Sequence, residues 1–205
     1  VTNNYADYTS SDVTFTYRPE ATVLTIEPRH GTAAGGTIVE VRGKHLNGTR
    51  VRCRFGTIEE DAIEVVSDTL VKCAAPPSNV VGVVSFGVAP NAADFSTSSS
   101  TFTYYATPSI ARLHPNLGPE SGGTSVIIEG DGFVDTSELS CRFGDAETTV
   151  AEFIRESEIR CVTPAHLPGT QFVTVTNNGQ EYTSASEFAY YPRVSVTRVH
   201  PSRGP

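Results

Sequence analysis

The chain has 205 residues and is acidic, with 23 Asp and Glu against 15 Lys and Arg. Phosphate binding needs clustered basic residues, so this balance argues against nucleic acid as a partner. The sequence also lacks an apolar stretch near the 18 residues that cross a bilayer, which predicts no membrane insertion in this segment. Thr, Val, Ser and Gly are abundant while Trp and Met are absent, a composition that favours short strands and predicts an all-β protein.

The first predicted element occupies residues 1–18. Residues 1–4 and 8–10 reappear in the same order at 175–178 and 182–184, close to the other end of the chain. Residues 175–178 and 182–184 lie at the end of a repeat unit. By analogy, we expect residues 1–18 to be the C-terminal hairpin of a preceding domain.

Two complete copies of one repeat follow, predicted as domains at 19–105 and 106–191. The turn Gly35-Gly36-Thr37 recurs 87 residues later, and the block that starts at Cys53 recurs 88 residues later, so one residue is inserted between them. Residues 199–201 and 204 repeat the opening motif of the second copy at 113–115 and 118. We therefore expect residues 192–205 to form the first strand of a following domain.

Within each copy, apolar and polar residues alternate. Val39 and Val41 are followed by Cys53 and Phe55 with polar residues between them, and the second copy keeps the same pattern. A period of two is typical of strands that bury one face. Each domain is therefore predicted to be a two-sheet β-sandwich.

The four cysteines fall as one pair per complete domain. Cys53 with Cys73, and Cys141 with Cys161, enclose the same sequence interval, which predicts one disulfide in each domain. A bond that closes a loop of about 21 residues stabilises a domain by roughly 3 kcal/mol on the chain-entropy estimate, and such bonds persist outside the cytosol. A zinc site and a pair of free buried thiols are the alternatives.

Asn47-Gly48-Thr49 is the only N-x-Ser/Thr sequon in the chain. It lies in a predicted turn between two strands, where a sugar would stay in solvent, so Asn47 is a predicted glycosylation site. The polar run 96–101 could carry O-linked sugars or simply connect two strands.

The residue patterns of catalysis are missing. None of the five histidines lies in a Ser/His/Asp or HExxH pattern, so the sequence predicts no catalytic residue. Acidic residues at 59–61 and around Asp131 and Asp135 could bind Ca²⁺, but neither cluster recurs in the other copy. We therefore expect no enzyme activity, metal or cofactor.

The order x-P-x-x-G-x-x-x-G-G-T, V-x-V-x-G, C-R-F-G and C-x-x-P resembles the IPT/TIG family across almost the whole chain. It spans 26–43, 53–56 and 73–76 in the first copy, and 113–130, 141–144 and 161–164 in the second. The resemblance implies an early-set immunoglobulin-like fold. It also implies the extracellular branch of plexin-like and fibrocystin-like surface proteins, which keeps the cysteine pair.

Pro19 and Pro108 lie in short joints between successive domains, with no room for a flexible linker. Short joints that contain proline are stiff, so we expect a rod of end-to-end domains that acts as a structural or adhesive element, or as a filament subunit. The expected partners are neighbouring IPT domains, other copies of the chain or a surface protein. The alternatives are the stalk of a receptor ectodomain that binds a protein ligand, and a carbohydrate-binding module.

Overall fold

The structure is a computed structural model that describes residues 17–97, 99–183, 185–194, 197–200 and 203–204. Strands β1–β9 form domain 1 and strands β10–β18 form domain 2, which confirms the all-β class and the tandem of sandwiches. The predicted hairpin at 1–18 lies outside the described residues except for its last two. Domain 1 contains β1 (Thr22–Glu27), β2 (His30–Thr32), β3 (Ile38–Lys44), β4 (Arg52–Phe55), β5 (Ile58–Asp61), β6 (Glu64–Ser67), β7 (Leu70–Ala74), β8 (Gly82–Ala89) and β9 (Thr101–Tyr105).

Domain 2 repeats this order of strands. It contains β10 (Ser109–His114), β11 (Leu117–Pro119), β12 (Ser125–Asp131), β13 (Ser140–Phe143), β14 (Thr149–Val150), β15 (Glu152–Arg155), β16 (Glu158–Val162), β17 (Gly169–Thr176) and β18 (Ser186–Tyr191). The described residues after Tyr191 form no strand. In domain 1 the first strand pairs with the third, as β1 pairs with β3. That residues 192–205 open a following domain stays a prediction.

Each domain stacks a four-stranded sheet on a five-stranded one. In domain 1 the strand orders are β1-β3-β7-β6 and β2-β9-β8-β4-β5, and the orders in domain 2 are equivalent. All pairings are antiparallel except that the short β2 and β11 run parallel to β9 and β18, the last strands of their domains. The chain therefore crosses from one sheet to the other directly after its first strand.

The alternating residues predicted from the sequence form the two cores. Val39 and Val41 from one sheet pack with Phe55 and Phe102 from the other, and all four are buried. The rings of Phe55 and Phe102 meet edge to face with their centroids 5.2 Å apart, a favourable arrangement for aromatic pairs. The equivalent rings of domain 2, Phe143 and Phe188, keep the same geometry.

Candidate functional site: the joint between the two domains

The joint begins with an open backbone position on β3. β1 ends at Glu27, opposite Glu40, so the strand stops before it can reach Ile38. Along an antiparallel strand the backbone groups of alternate residues point to the same neighbour. The N–H and C=O of Ile38 therefore face the side on which β1 would have continued, and β1 supplies no partner for them.

Gln180 of domain 2 fills this position. The backbone N–H of Ile38 donates a hydrogen bond to Gln180 Oε1 at 2.8 Å, and Gln180 Nε2 donates one to the carbonyl oxygen of Ile38 at 2.9 Å. A carboxamide carries both an acceptor and donors, so one side chain replaces the missing strand residue. We call this pair of bonds the Gln180 clamp.

Asn178 shapes the loop that carries Gln180. Its Oδ1 accepts the backbone N–H groups of Gln180 at 3.1 Å and Glu181 at 3.3 Å, while its Nδ2 donates to Glu181 Oε2 at 2.6 Å. Gly179, between Asn178 and Gln180, has a φ of 75°, a conformation that glycine adopts without strain. Asn178 is only 4% exposed, and its Nδ2 also lies 3.4 Å from Thr37 Oγ1 of domain 1.

Two further contacts fix this loop to domain 2. The guanidinium of Arg142 lies 3.9 Å from the centre of the Tyr182 ring, a cation–π contact. The backbone N–H of Val175 donates to Thr183 Oγ1 at 3.1 Å, and the N–H of Thr183 donates to the Val175 carbonyl at 2.9 Å. The loop therefore meets domain 1 as part of domain 2 and not as a free segment.

The linker itself is three residues long, from 106 to 108, and it is bonded to domain 1. The hydroxyls of Thr32 and Thr107 lie 2.6 Å apart. Tyr105, the last residue of β9, is 6% exposed. Burial, with a smaller contribution from the Glu181 carboxylate across the joint, raises the pKa of Tyr105, so its hydroxyl stays neutral.

The cysteines lie in the cores, away from the joint. Disulfides join Cys53 of β4 to Cys73 of β7, and Cys141 of β13 to Cys161 of β16. Each bond links the two sheets of its sandwich, and all four residues are fully buried.

Asn47 lies at the other end of domain 1 from the joint. β3 runs from Ile38 at the joint to Lys44, and the loop with the sequon follows directly. Asn47 is exposed, and its backbone carbonyl accepts a long hydrogen bond from Arg18 at 3.5 Å. A glycan there has access to solvent, but glycosylation of Asn47 stays a prediction.

The acidic residues considered for Ca²⁺ are arranged differently from a metal site. Glu59 forms an ion pair with Arg52 at 2.7 Å, and Asp61 forms one with Arg50 at 3.1 Å. Within the described residues, no three His, Cys, Asp or Glu side chains are grouped so as to hold a metal ion.

In that same part of the chain, no helix has the length and apolar character needed to cross a membrane.

Sequence reasoning missed the residues that form the joint. The Asn178-Gly179 pair signals a tight turn, but neither Gln180 nor Ile38 belongs to a motif. The matching loop of domain 1 builds the same turn on Asn91, whose Oδ1 accepts the N–H groups of Ala93 and Asp94. Ala93 stands where domain 2 has Gln180, and this difference between repeats was the available signal.

The two sandwiches, their disulfides and their direct joint define a tandem of immunoglobulin-like β-sandwich domains. A family model described as the IPT/TIG domain matches residues 21–104 and 108–190. The chain belongs to the IPT/TIG family, as its motifs indicated.

Relatives within this family cover both domains. Human plexin-A3 is 27% identical over 193 residues, which covers 88% of this chain and 10% of the relative. Fibrocystin-L of Mus musculus is 27% identical over 194 residues, which covers 88% of this chain and 4% of the relative. The chain thus spans a tenth or less of these curated relatives.

A solved structure shares the fold. The full extracellular region of plexin A4, domains 1 to 10, matches with a TM-score of 0.57 at 20% identity, covering 84% of this chain and 16% of that one. The family, the plexin relatives and the buried disulfides assign these domains to the extracellular branch of the family.

Proposed function

We propose that this segment is a stiff spacer in an extracellular array of IPT/TIG domains, with neighbouring domains as its first partners. The observation that carries the proposal is the Gln180 clamp on the backbone of Ile38. A three-residue linker alone limits the distance between two domains but leaves their orientation free. The clamp and the buried Asn178 favour one orientation.

The size of the effect follows from the contacts. Two hydrogen bonds contribute about 1–3 kcal/mol together, which corresponds to roughly a 5- to 150-fold preference for the docked arrangement. Tyr105 is also buried at the joint, and the Glu181 carboxylate of domain 2 acts on its hydroxyl from across the joint, which places the two domains close together there. A preference of this size keeps most molecules docked while thermal motion still samples open forms.

The test is the relative alignment of the two domains, measured by residual dipolar couplings in solution. We expect equal alignment tensors for both domains in the natural sequence, and a smaller tensor for one domain in Gln180→Ala. Gln171→Ala is the matched control, because Gln171 is the only other glutamine and lies near the start of β17, far from the loop. Unequal tensors in the natural sequence would refute the spacer.

The second candidate function is the stalk of a receptor-type ectodomain that binds a protein ligand. It is favoured by the similarity to plexin-A3 across both domains. A membrane-spanning segment downstream in the intact protein, found by peptide mapping, would support it, and a soluble intact protein would contradict it.

Adhesion, filament assembly and carbohydrate binding stay predictions. Negative-stain images of the longer protein distinguish a beaded rod or filament from a globule. A glycan array tests carbohydrate binding, which the absence of Trp makes the weakest of these candidates.

A further inference from the structure

Domain 2 repeats, at its C-terminal end, the open backbone position that Gln180 fills on domain 1. The turn motifs align Ser125 with Ile38. β10 ends at His114, opposite Ile127, and so stops before it can reach Ser125. The N–H and C=O of Ser125 face that open side, where no described residue hydrogen-bonds to them.

The surface around Ser125 corresponds to the face of domain 1 at the joint, but its side chains are more exposed. Tyr105 is 6% exposed in the joint, whereas Tyr191, its counterpart at the end of β18, is 40% exposed. Thr37 is fully buried, and its counterpart Thr124 is half-buried. Leu117 beside them on β11 is 53% exposed.

We propose that the backbone of Ser125, flanked by Leu117 and Tyr191, is a docking site for a side-chain carboxamide carried by a loop of a third IPT/TIG domain of the same chain. One donor and one acceptor side by side match a Gln or Asn amide. They match neither a carboxylate, which only accepts, nor an ammonium, which only donates.

Two observations select this occupant over other proteins. The chain leaves domain 2 at Tyr191, which pairs with Pro119 of β11, in the same way that it leaves domain 1 at Tyr105, which pairs with Thr32 of β2. The residues that follow, at 199–201 and 204, repeat the motif that opens domain 2. A third domain attached there would present its loop to Ser125 as domain 2 presents Gln180 to Ile38.

The experiment compares this segment with the natural chain extended by its next domain, through amide hydrogen exchange. We expect the Ser125 N–H to exchange about tenfold more slowly in the extended chain, since one hydrogen bond of roughly 1.4 kcal/mol changes an equilibrium tenfold. Equal exchange of Ser125 in both chains would overturn the proposal. So would protection in the short segment that rises with its concentration, because the occupant would then be a second copy.

Paired variants add a second readout. Ser125→Pro removes the N–H at the first residue of a strand, a position where proline is tolerated, while Ser125→Ala keeps both backbone groups. In the extended chain, only the proline variant should uncouple the alignment of the third domain from that of domain 2. If the proline variant fails to fold, the exchange comparison still decides. The inference rests on the geometry of the first joint, in which a carboxamide bonds to the backbone of Ile38, and not on the stiffness proposed for that joint. Exchange of the Ile38 N–H in the same samples tests the first joint separately.

Discussion

Gln180 contacts Ile38 through both ends of its carboxamide, although the two residues are 142 positions apart in sequence. The contact is to backbone, so it does not depend on the identity of the side chain at position 38. It depends on β1 ending early, which leaves the backbone groups of Ile38 open. A joint of this kind depends on where the strands of the neighbouring domain end more than on the side chains of that domain.

The first prediction concerns Gln180→Glu. At neutral pH the new carboxylate still accepts the Ile38 N–H, but it faces the Ile38 carbonyl without a donor. We expect the joint to weaken by about 1 kcal/mol, and to tighten again below about pH 4, where a protonated carboxyl can donate. The dipolar couplings of the two domains check both effects.

Gln180→Ala is the control for this pH dependence, because alanine does not titrate. Both variants contain all the other carboxylates of the molecule. A pH response that differs between the two variants must therefore come from the side chain at position 180. If the two variants respond identically to pH, the donor half of the clamp contributes nothing.

The second prediction uses the two disulfides as controls for each other. Cys53→Ala with Cys73→Ala should lower the free energy of unfolding of domain 1 by about 3 kcal/mol and leave domain 2 unchanged. The reverse is expected for Cys141→Ala with Cys161→Ala. Denaturant unfolding followed by residue-resolved NMR separates the domains. Equal losses in both domains would show that they unfold as one unit.

The fold was predictable because its signals are local and repeated. The Gly-Gly-Thr turns and the alternation through Val39 and Val41 reflect constraints within one sandwich, namely a tight turn and a buried strand face. Each constraint appears twice at a fixed spacing, so the all-β class and the tandem organisation follow from the sequence alone.

The joint was not predictable for the opposite reason. Asn178 and Gln180 act through groups of domain 1 that become available only once both domains have folded. The position held by Gln180 is alanine in the first repeat, so comparing the repeats marks the position as one that differs but does not show what the glutamine contacts. Contacts between domains leave little periodic signal in the sequence.

The third prediction concerns the sequon. Expressed through a eukaryotic secretory pathway, the segment should carry a glycan that endoglycosidase removes, and both Asn47→Gln and Thr49→Ala should abolish it. Because Asn47 is exposed and lies in the loop that follows β3, neither variant should change stability by more than about 0.5 kcal/mol. Mass spectrometry and thermal unfolding test these outcomes. An unmodified natural sequence would refute the site.

The fourth prediction compares two adjacent glycines next to the joint. Gly35 and Gly36 have φ values of 80° and 94°, so alanine is strained at either position. A Cβ on Gly35 would also lie 2.6 Å from the backbone nitrogen of Pro77, whereas one on Gly36 would meet nothing within 4 Å. Gly35→Ala should therefore destabilise domain 1 more than Gly36→Ala does, and it should speed Ile38 exchange. Equal thermal shifts would contradict this reading of the turn.

The fifth prediction is a pH dependence of domain 2 that originates at His166. Its Nδ1 lies 3.0 Å from the carbonyl oxygen of Leu167, and its Nε2 lies 2.9 Å from Asp145 Oδ1, so both ring nitrogens face acceptors. The Leu167 carbonyl first, and then the Asp145 carboxylate, raise the pKa of His166 above 6.5.

Since the folded pKa is higher than the unfolded one, this contribution to stability is complete below about pH 6.5 and is lost as the pH rises through the folded value. The same contact lowers the pKa of Asp145, so that residue contributes above its ordinary pKa and stops contributing in acid. An NMR titration of the His166 ring should give a pKa above 6.5 that falls in Asp145→Asn. A ring that titrates identically in both proteins would show that the exposed carboxylate does not hold the imidazolium.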